Sequence, residues 1–254
     1  MIIAQIASAP AMAESKSVMD TPEGYREFYD RLGHEYEETA TVYASRLGRV
    51  RYRTVLRELA PFARSRARLL DIGCNDGVYT VPYCEMGGRA HGIDISTALV
   101  EKARAKARVA GVDVTFEEAD IERYTPTPVF DVVLMSEVLE HFRNPDVAVR
   151  NAVAAIRGGG HLLLTTPLPY SGFREYLRRL VARKPLTQPF EFENFGVRYR
   201  HDGYYPLALK DWLESFGLEC VKLRTFERHL TRYSPMRLVL GDRNLQLHRK
   251  PGPP

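Results

Sequence analysis

Apolar and polar residues change their spacing several times along this 254-residue chain, and each change predicts an element. Between residues 20 and 44 the large apolar positions are aromatic: Tyr25, Phe28, Tyr29, Tyr36 and Tyr43. Spacings of three, four and seven place them near one helical stripe. A second helix is predicted from Arg46 to Leu59. Val50, Leu56 and Leu59 are its apolar positions, Arg46, Arg49, Arg51, Arg53 and Arg57 its polar ones, and Pro61 its stop. The pattern then alternates. Strands are predicted at Arg68 to Ile72, Arg89 to Ile95, Val112 to Glu118, Phe130 to Ser136 and His161 to Thr166. Between them lie helices at Asp76 to Met86, irregular at Pro82, and from Ser96, a capping residue, to Ala110 before the stop at Gly111. Another helix starts at Asn144 or Asp146 and ends at Gly158 to Gly160.

The run Phe130 to Ser136 is apolar without alternation, as expected of a strand covered on both faces. Strands alternating with helices of this length predict a parallel, doubly wound α/β sheet. From Pro167 to about His201 the pattern lapses. This stretch holds a helix at Phe173 to Arg183 and an aromatic segment with Phe190, Phe192 and Phe195. It is too long for an ordinary connection and is read as a lid insertion over 167–205. A helix at Leu207 to Phe216, a strand at Leu218 to Phe226 and a last strand near Asn244 to His248 complete the fold. Residues 1–19 are expected to be a flexible leader, 20–62 a helical cap on a single 20–250 domain, and 251–254 a tail.

Composition narrows the function classes. Apolar residues make up 44% and charged residues 27%, values of an ordinary globular chain. Lys plus Arg is 36 against 32 for Asp plus Glu, a net charge of +4. A dedicated nucleic-acid binder carries a stronger, clustered excess, so nucleic acid is not the expected partner. Three cysteines make no disulfide framework and fit a reducing, cytoplasmic location. No apolar run approaches the roughly 20 residues that cross a bilayer.

Four segments carry candidate chemistry. In Leu69-Leu70-Asp71-Ile72-Gly73-Cys74-Asn75-Asp76-Gly77 a strand ends at an acid, and a glycine turn opens a helix. Glycine lets a ligand approach the backbone closely, and a helix start adds backbone donors. The acid repels a pyrophosphate and suits a ligand with positive charge and hydroxyls. The dinucleotide spacing Gly-x-Gly-x-x-Gly is absent. Asp94, followed by Ile95, lies about 20 residues on, where an acid binds ribose hydroxyls. Asp120 and Ile121 follow the third strand; a carboxylate and an apolar neighbour there can hold an adenine amino group and its ring. The run Ser136-Glu137-Val138-Leu139-Glu140-His141 places polar groups outside the end of the central strand.

Together, in this order, these segments resemble class I S-adenosylmethionine-dependent methyltransferases over roughly Asp20 to Lys250. The Ser-Glu-Val-Leu-Glu-His run, Asn144-Pro145 and the triple glycine before His161 are closest to the branch of the ubiquinone-biosynthesis O-methyltransferases and small-molecule methyltransferases. The resemblance implies a Rossmann-like, seven-stranded, mostly parallel sheet with its last strand antiparallel. It implies S-adenosylmethionine as cofactor and S-adenosylhomocysteine as product. Carried over, Asp71, Gly73, Asn75 and Gly77 hold the methionine part, Asp94 and Ile95 the ribose, and Asp120 and Ile121 the adenine, with Ser136 beside them. Asn75 stands where the family usually has glycine; asparagine tolerates left-handed dihedrals better than most residues.

The expected activity is methyl transfer to a small-molecule acceptor, a hydroxyl on a natural product or other secondary metabolite. His141, with Glu137, is the candidate base; the alternative is that His141 only orients its loop. Glu137, Glu140, His141 and the distant His201 also resemble the divalent-metal site of small-RNA 2′-O-methyltransferases, and two carboxylates with two imidazoles can hold Mg²⁺. That pattern also occurs across the wider branch, so no metal is assigned. An RNA 2′-O-methyltransferase and an inactive cofactor-binding partner subunit are the alternative functions. Arg174, Arg178, Arg179, Arg183 and Lys184 fit an anionic partner or a solvated helix face, and homo-oligomerisation stays open.

Overall fold

The computed structural model describes residues 21–35, 46–124, 127, 129–168, 187–194, 197–226 and 243–252; of residues 35, 46, 47, 187–194 and 197–202 it describes the backbone alone. The elements are α1 (Pro22–Glu35), α2 (Arg46–Arg64), β1 (Arg68–Ile72), α3 (Thr80–Glu85), β2 (Arg89–Asp94), α4 (Thr97–Ala110), β3 (Thr115–Glu118) and β4 (Phe130–Ser136). A 3₁₀ turn (Leu139–His141) follows, then α5 (Pro145–Ala155), β5 (Ile156–Pro167), β6 (Thr187–Asn194), β7 (Val197–Tyr204), α6 (Pro206–Glu214), β8 (Glu219–Phe226) and β9 (Arg243–Arg249). Seven strands form one sheet in the order β3-β2-β1-β4-β5-β9-β8. β1 to β5 pair in parallel, and β9 runs antiparallel between β5 and β8. This is the Rossmann-like sheet expected from the sequence. Its order reverses between β1 and β4, and a crevice opens outside the strand ends at such a switch point.

The apolar runs explain the layering. On one face Leu70, Ile72, Val133, Met135, Leu162 and Leu164 pack with Ala148, Val149 and Ala152 of α5 and Leu209 and Leu213 of α6. On the other, Leu69, Val132, Leu134, Leu163 and Leu245 pack with Val55, Leu59 and Ala63 of α2 and Tyr83 of α3. α4 adds Val100, Ala103 and Ala107 around Phe116 and Cys74.

Several expected boundaries move. α2 runs through Pro61 to Arg64, because Pro61 falls in its last turns and Ala63 beyond it is buried. It stops at Arg66, in the left-handed region at φ 59. The Ala67 N–H reaches back to the Phe62 carbonyl and the Arg66 N–H to Ala63, a Schellman closure made without glycine. Val50 sits on the exposed side of α2. α3 begins at Thr80 and not at Asp76; Pro82 then lies in the first turn, where its missing N–H costs nothing. Ser96 caps α4 as expected, accepting the Leu99 N–H, and Gly111 closes it at φ 66. β2 stops at Asp94 and β3 starts at Thr115. The Gly158–Gly160 run ends no helix. It lies inside β5, where Gly159 and Gly160 exchange backbone hydrogen bonds with Lys250.

The stretch read as a lid contains a hairpin that was not expected. β6 and β7 form a separate two-stranded sheet with Phe190 opposite His201. β7 passes beside the turn Leu139–His141 and beside β5. The alternation Phe190-Glu191-Phe192-Glu193 has the period of a strand. The leader 1–19, Tyr36, Tyr43, the helix expected at Phe173 to Arg183 with its basic residues, and Phe195 lie outside the described residues, as do the side chains of Phe190, Phe192 and His201. Among the described residues no helix is long and apolar enough to cross a membrane.

α1 lies across α4. Asp30 Oδ1 accepts the Ala98 N–H at 2.9 Å and the Ser96 hydroxyl at 3.1 Å, so it caps α4 from outside. Lys102 Nζ donates to the Gly33 carbonyl at 2.8 Å, and Arg26 pairs with Glu118 at 2.6 Å. The helices approach so closely at Gly33 that a Cβ there would lie 2.5 Å from Ser96 Oγ. Asp30→Ala is therefore expected to lower stability by about 0.5–2 kcal/mol, the range for losing a cap. It should also speed amide exchange in 22–35. Wild-type exchange in a folded variant would show that α1 is held by other contacts.

Candidate active site

The carboxyl ends of β1, β2, β3 and β4 meet at one edge of the sheet, and each delivers one of the expected segments. Asp71, the penultimate residue of β1, is fully buried and accepts the Thr80 hydroxyl at 2.6 Å. Gly73 follows at φ 69; a Cβ there would lie 2.5 Å from Val138 Cγ2, so the turn and the loop after β4 touch. The Gly73 and Cys74 N–H groups both donate to the Ile93 carbonyl. Asn75 takes the left-handed conformation at φ 52, and its side-chain oxygen accepts the Asp76 N–H at 2.8 Å. The departure from glycine is thus accommodated by the residue best able to do so. Gly77 closes the turn at φ 79.

Asp94, at the end of β2, is buried against this turn. Its two oxygens accept N–H groups from Asn75 at 2.9 Å and Ser96 at 3.0 Å. Burial pushes the Asp71 carboxyl up to about 7, with Thr80 opposing and Asp94 adding repulsion. Burial pushes Asp94 up to about 6 against the hydrogen bonds that hold it down. No cationic side chain among the described residues is paired with either. Cys74 lies between them, 1% exposed, its thiol pushed well up by burial and by both acids. It fills space and has no nucleophile's environment. Ile95 is half-buried beside Ser96.

Asp120 begins the turn after β3. It accepts the Glu122 N–H at 2.9 Å and lies 3.9 Å from both Arg123 and Arg143. Ile121 is buried in the core next to it. At the end of β4, Ser136 shares a hydrogen bond with Thr165 at 3.0 Å. Glu137 follows at φ 55, a strained conformation for a non-glycine residue. Its Oε2 pairs with Arg51 of α2 at 3.7 Å and Arg243 of β9 at 2.5 Å. Glu140 is buried beside it, and burial and repulsion from Glu137 push its carboxyl well above the ordinary range. His141 ends the 3₁₀ turn. Its Nδ1 shares a 2.8 Å hydrogen bond with the Tyr29 hydroxyl, and its carbonyl accepts the Tyr25 hydroxyl at 2.6 Å.

The structure thus gathers Asp71, Gly73, Asn75, Gly77, Asp94, Asp120, Ser136, Glu137, Glu140 and His141 along one edge. Among the described residues no three His, Cys, Asp or Glu side chains cluster as metal ligands. Sequence reasoning missed Thr80, Arg51 and Arg243, the partners of the acids, and Glu122, which grips the loop after His141. The arginines carry no local signal, because helix and strand bring them to Glu137 from 86 residues before it and 106 after.

The raised carboxyls have a consequence without ligand. The folded chain binds these protons more tightly than the unfolded chain, whose aspartates titrate near about 4. Stability from this source is present below about pH 4 and is lost as pH rises through about 6 to 7. Asp71→Asn should flatten the fall in chemical denaturation curves between those limits. An identical pH dependence in wild type and variant would contradict the burial of this charge.

A family model described as a methyltransferase domain matches residues 43–223. A ubiquinone biosynthesis O-methyltransferase from Coxiella burnetii is 27% identical over 162 residues, 63% of this chain and 67% of that protein. One from Xanthomonas axonopodis pv. citri is 28% identical over 163 residues, 60% of this chain and 63% of its own length. Magnesium protoporphyrin IX methyltransferase from Synechocystis PCC 6803, solved with S-adenosylhomocysteine bound, superposes with a TM-score of 0.61 at 16% identity. That alignment covers 89% of this chain and 97% of the other, and at such identity it speaks to the fold alone. The family model, reaching from α2 into β8, takes in every acid of the site, and the chain belongs to the methyltransferase-domain family as a S-adenosylmethionine-dependent methyltransferase.

Proposed function

We propose that this methyltransferase acts on a hydroxyl of a small natural product or related metabolite, with His141 as general base. The observation that carries the reading is the hold on His141: Tyr25 and Tyr29 of α1 fix both its backbone and its ring at the mouth of β4. The relatives named O-methyltransferases support an oxygen acceptor. Glu137, paired with two arginines, favours a base without a metal. The three unpaired cysteines fit a cytoplasmic setting.

The site's own residues fit the cofactor. Two buried carboxylates lack a cationic partner among the described residues, and a ligand bearing positive charge and hydroxyl donors supplies one. Asp71 faces the methionine part beside the glycine turn. Asp94, whose oxygens also accept the Asn75 and Ser96 N–H groups, takes the ribose hydroxyls beside Ile95. Asp120 takes the adenine amino group, and Ile121 flanks it. When bound, S-adenosylmethionine supplies an electrophilic sulfonium methyl. The chain's task is to align the acceptor oxygen and take its proton at His141. The β6–β7 hairpin, beside the 3₁₀ turn, serves as the cover that keeps water from the acceptor.

Transfer of labelled methyl from S-adenosylmethionine to a panel of phenols, catechols, polyketides and sugars tests the acceptor class. His141→Ala should lower turnover by about 10²–10⁴-fold, leave cofactor affinity intact and leave the residual rate indifferent to EDTA. Full activity in His141→Ala sinks the base; loss of wild-type activity in EDTA, restored by Mg²⁺ and mimicked by His201→Ala, sinks the metal-free reading. Transfer to RNA alone, or binding without transfer to anything, would favour the other two functions. Asp94→Ala should weaken S-adenosylmethionine binding by about tenfold or more, since hydrogen bonds to a charged group contribute about 1.5–3 kcal/mol each. Unchanged calorimetric affinity in the folded variant would refute the ribose assignment.

A further inference from the structure

Glu122 has no place in the chemistry described above, yet it is among the most fully engaged acids of the site. It lies two residues beyond Asp120 in the turn after β3, with a side chain 5% exposed. Its Oε1 accepts two backbone N–H groups, from Arg143 at 2.8 Å and Asn144 at 3.2 Å. Its Oε2 accepts the side-chain amide of Asn144 at 2.7 Å and lies 3.9 Å from the Arg143 guanidinium. With Phe142, these two residues form the short link between His141 and α5. Asn144 sits at the N-cap of α5 but makes no side-chain cap there; its amide is turned to Glu122 instead.

The same link is tied to α1. The Arg143 guanidinium lies over the Tyr25 ring, 5.3 Å from its centre, and the Tyr25 hydroxyl donates to the His141 carbonyl. His141 is therefore gripped on one side by Tyr25 and Tyr29 and on the other through a loop whose N–H groups converge on one carboxylate. The Glu122 backbone is in turn fixed to Asp120 by the N–H to Oδ1 bond. A helix start such as that of α5 needs an acceptor for its first donors, but Glu122 takes the N–H of residue 143, outside the helix. A capping role does not call for that bond; fixing the loop behind His141 does.

We propose that Glu122 is a positioning residue. Its carboxylate sets where the His141 imidazole stands, and through the Asp120 turn it ties that placement to the end of the site assigned to adenine. This rests on His141 acting as base, and the test separates the two claims. In Glu122→Gln one oxygen can still accept the backbone N–H groups, but the carboxylate charge facing Arg143 is lost and Asn144 must turn its amide over to accept from the new one. Adding Asn144→Asp reverses that pair and restores complementarity.

Histidine-selective NMR of the full chain, with His141 assigned by its loss in His141→Ala, reads the placement without any acceptor. The wild type should give one sharp His141 ring resonance. Glu122→Gln should shift and broaden it, and Glu122→Gln with Asn144→Asp should bring it back, while calorimetric S-adenosylhomocysteine affinity stays at the wild-type level. With the acceptor that answers in the panel above, Glu122→Gln should lower kcat by about 10²-fold, the scale of a small misplacement of a reacting group, and leave KM unchanged. In a His141→Ala background the same change should cost nothing further. A wild-type His141 resonance in folded Glu122→Gln overturns the proposal whatever the kinetics. So does an equal loss of rate with and without His141. Full activity of His141→Ala together with the predicted NMR change would instead retire the base and keep the placement.

Discussion

Two carboxylates, Asp71 and Asp94, are buried around a single glycine turn with no cationic partner among the described residues, and much of the site follows from that. Burying charge is costly unless it is hydrogen-bonded or paired. The chain answers with neutral donors: the Thr80 hydroxyl for Asp71, and the backbone N–H groups of Asn75 and Ser96 for Asp94. Aiming the Asn75 N–H at Asp94 goes with a left-handed backbone at residues 73, 75 and 77, which only glycine and asparagine adopt cheaply. The acids are left raised toward neutrality. A ligand with a positive centre and hydroxyl donors relieves that condition, whereas a pyrophosphate would worsen it.

The second constraint is the reach of α1. Asp30 anchors it at the start of α4, next to Ser96 and therefore next to Asp94. Tyr25 and Tyr29, five residues and one residue before Asp30, hold His141 in the turn after β4. One helix thus bridges Asp94 and the candidate base across the switch point of the sheet. Glu122 makes the corresponding tie from below, through the loop that leads into α5.

The sheet was legible in the sequence because buried parallel strands write themselves as apolar runs, and β4 from Phe130 to Ser136 and the α4 limits at Ser96 and Gly111 were read to the residue. The three acids were legible because each stands at a strand end at a recognisable spacing. What failed was local chemistry overruled by packing. Pro61 reads as a stop, but the burial of Ala63 carries α2 past it, and the actual stop, Arg66, has no glycine to announce it. The glycines at 158–160 read as a break and form part of β5. The hairpin's period-two alternation was masked by the prolines around it. Contacts joining distant residues, such as Tyr29 to His141 or Arg243 to Glu137, leave no trace in spacing at all.

In the proposed mode the acids at the ends of β1 to β3 cradle S-adenosylmethionine so that its sulfur faces His141. A crystal structure of the chain with S-adenosylhomocysteine decides this. It should show both ribose hydroxyls on Asp94, the adenine amino group on Asp120, the amino-acid end beside Asp71 and Gly73, and the sulfur turned toward the mouth of β4. A ligand bound with Asp94 untouched, or with its sulfur turned away from His141, would contradict it.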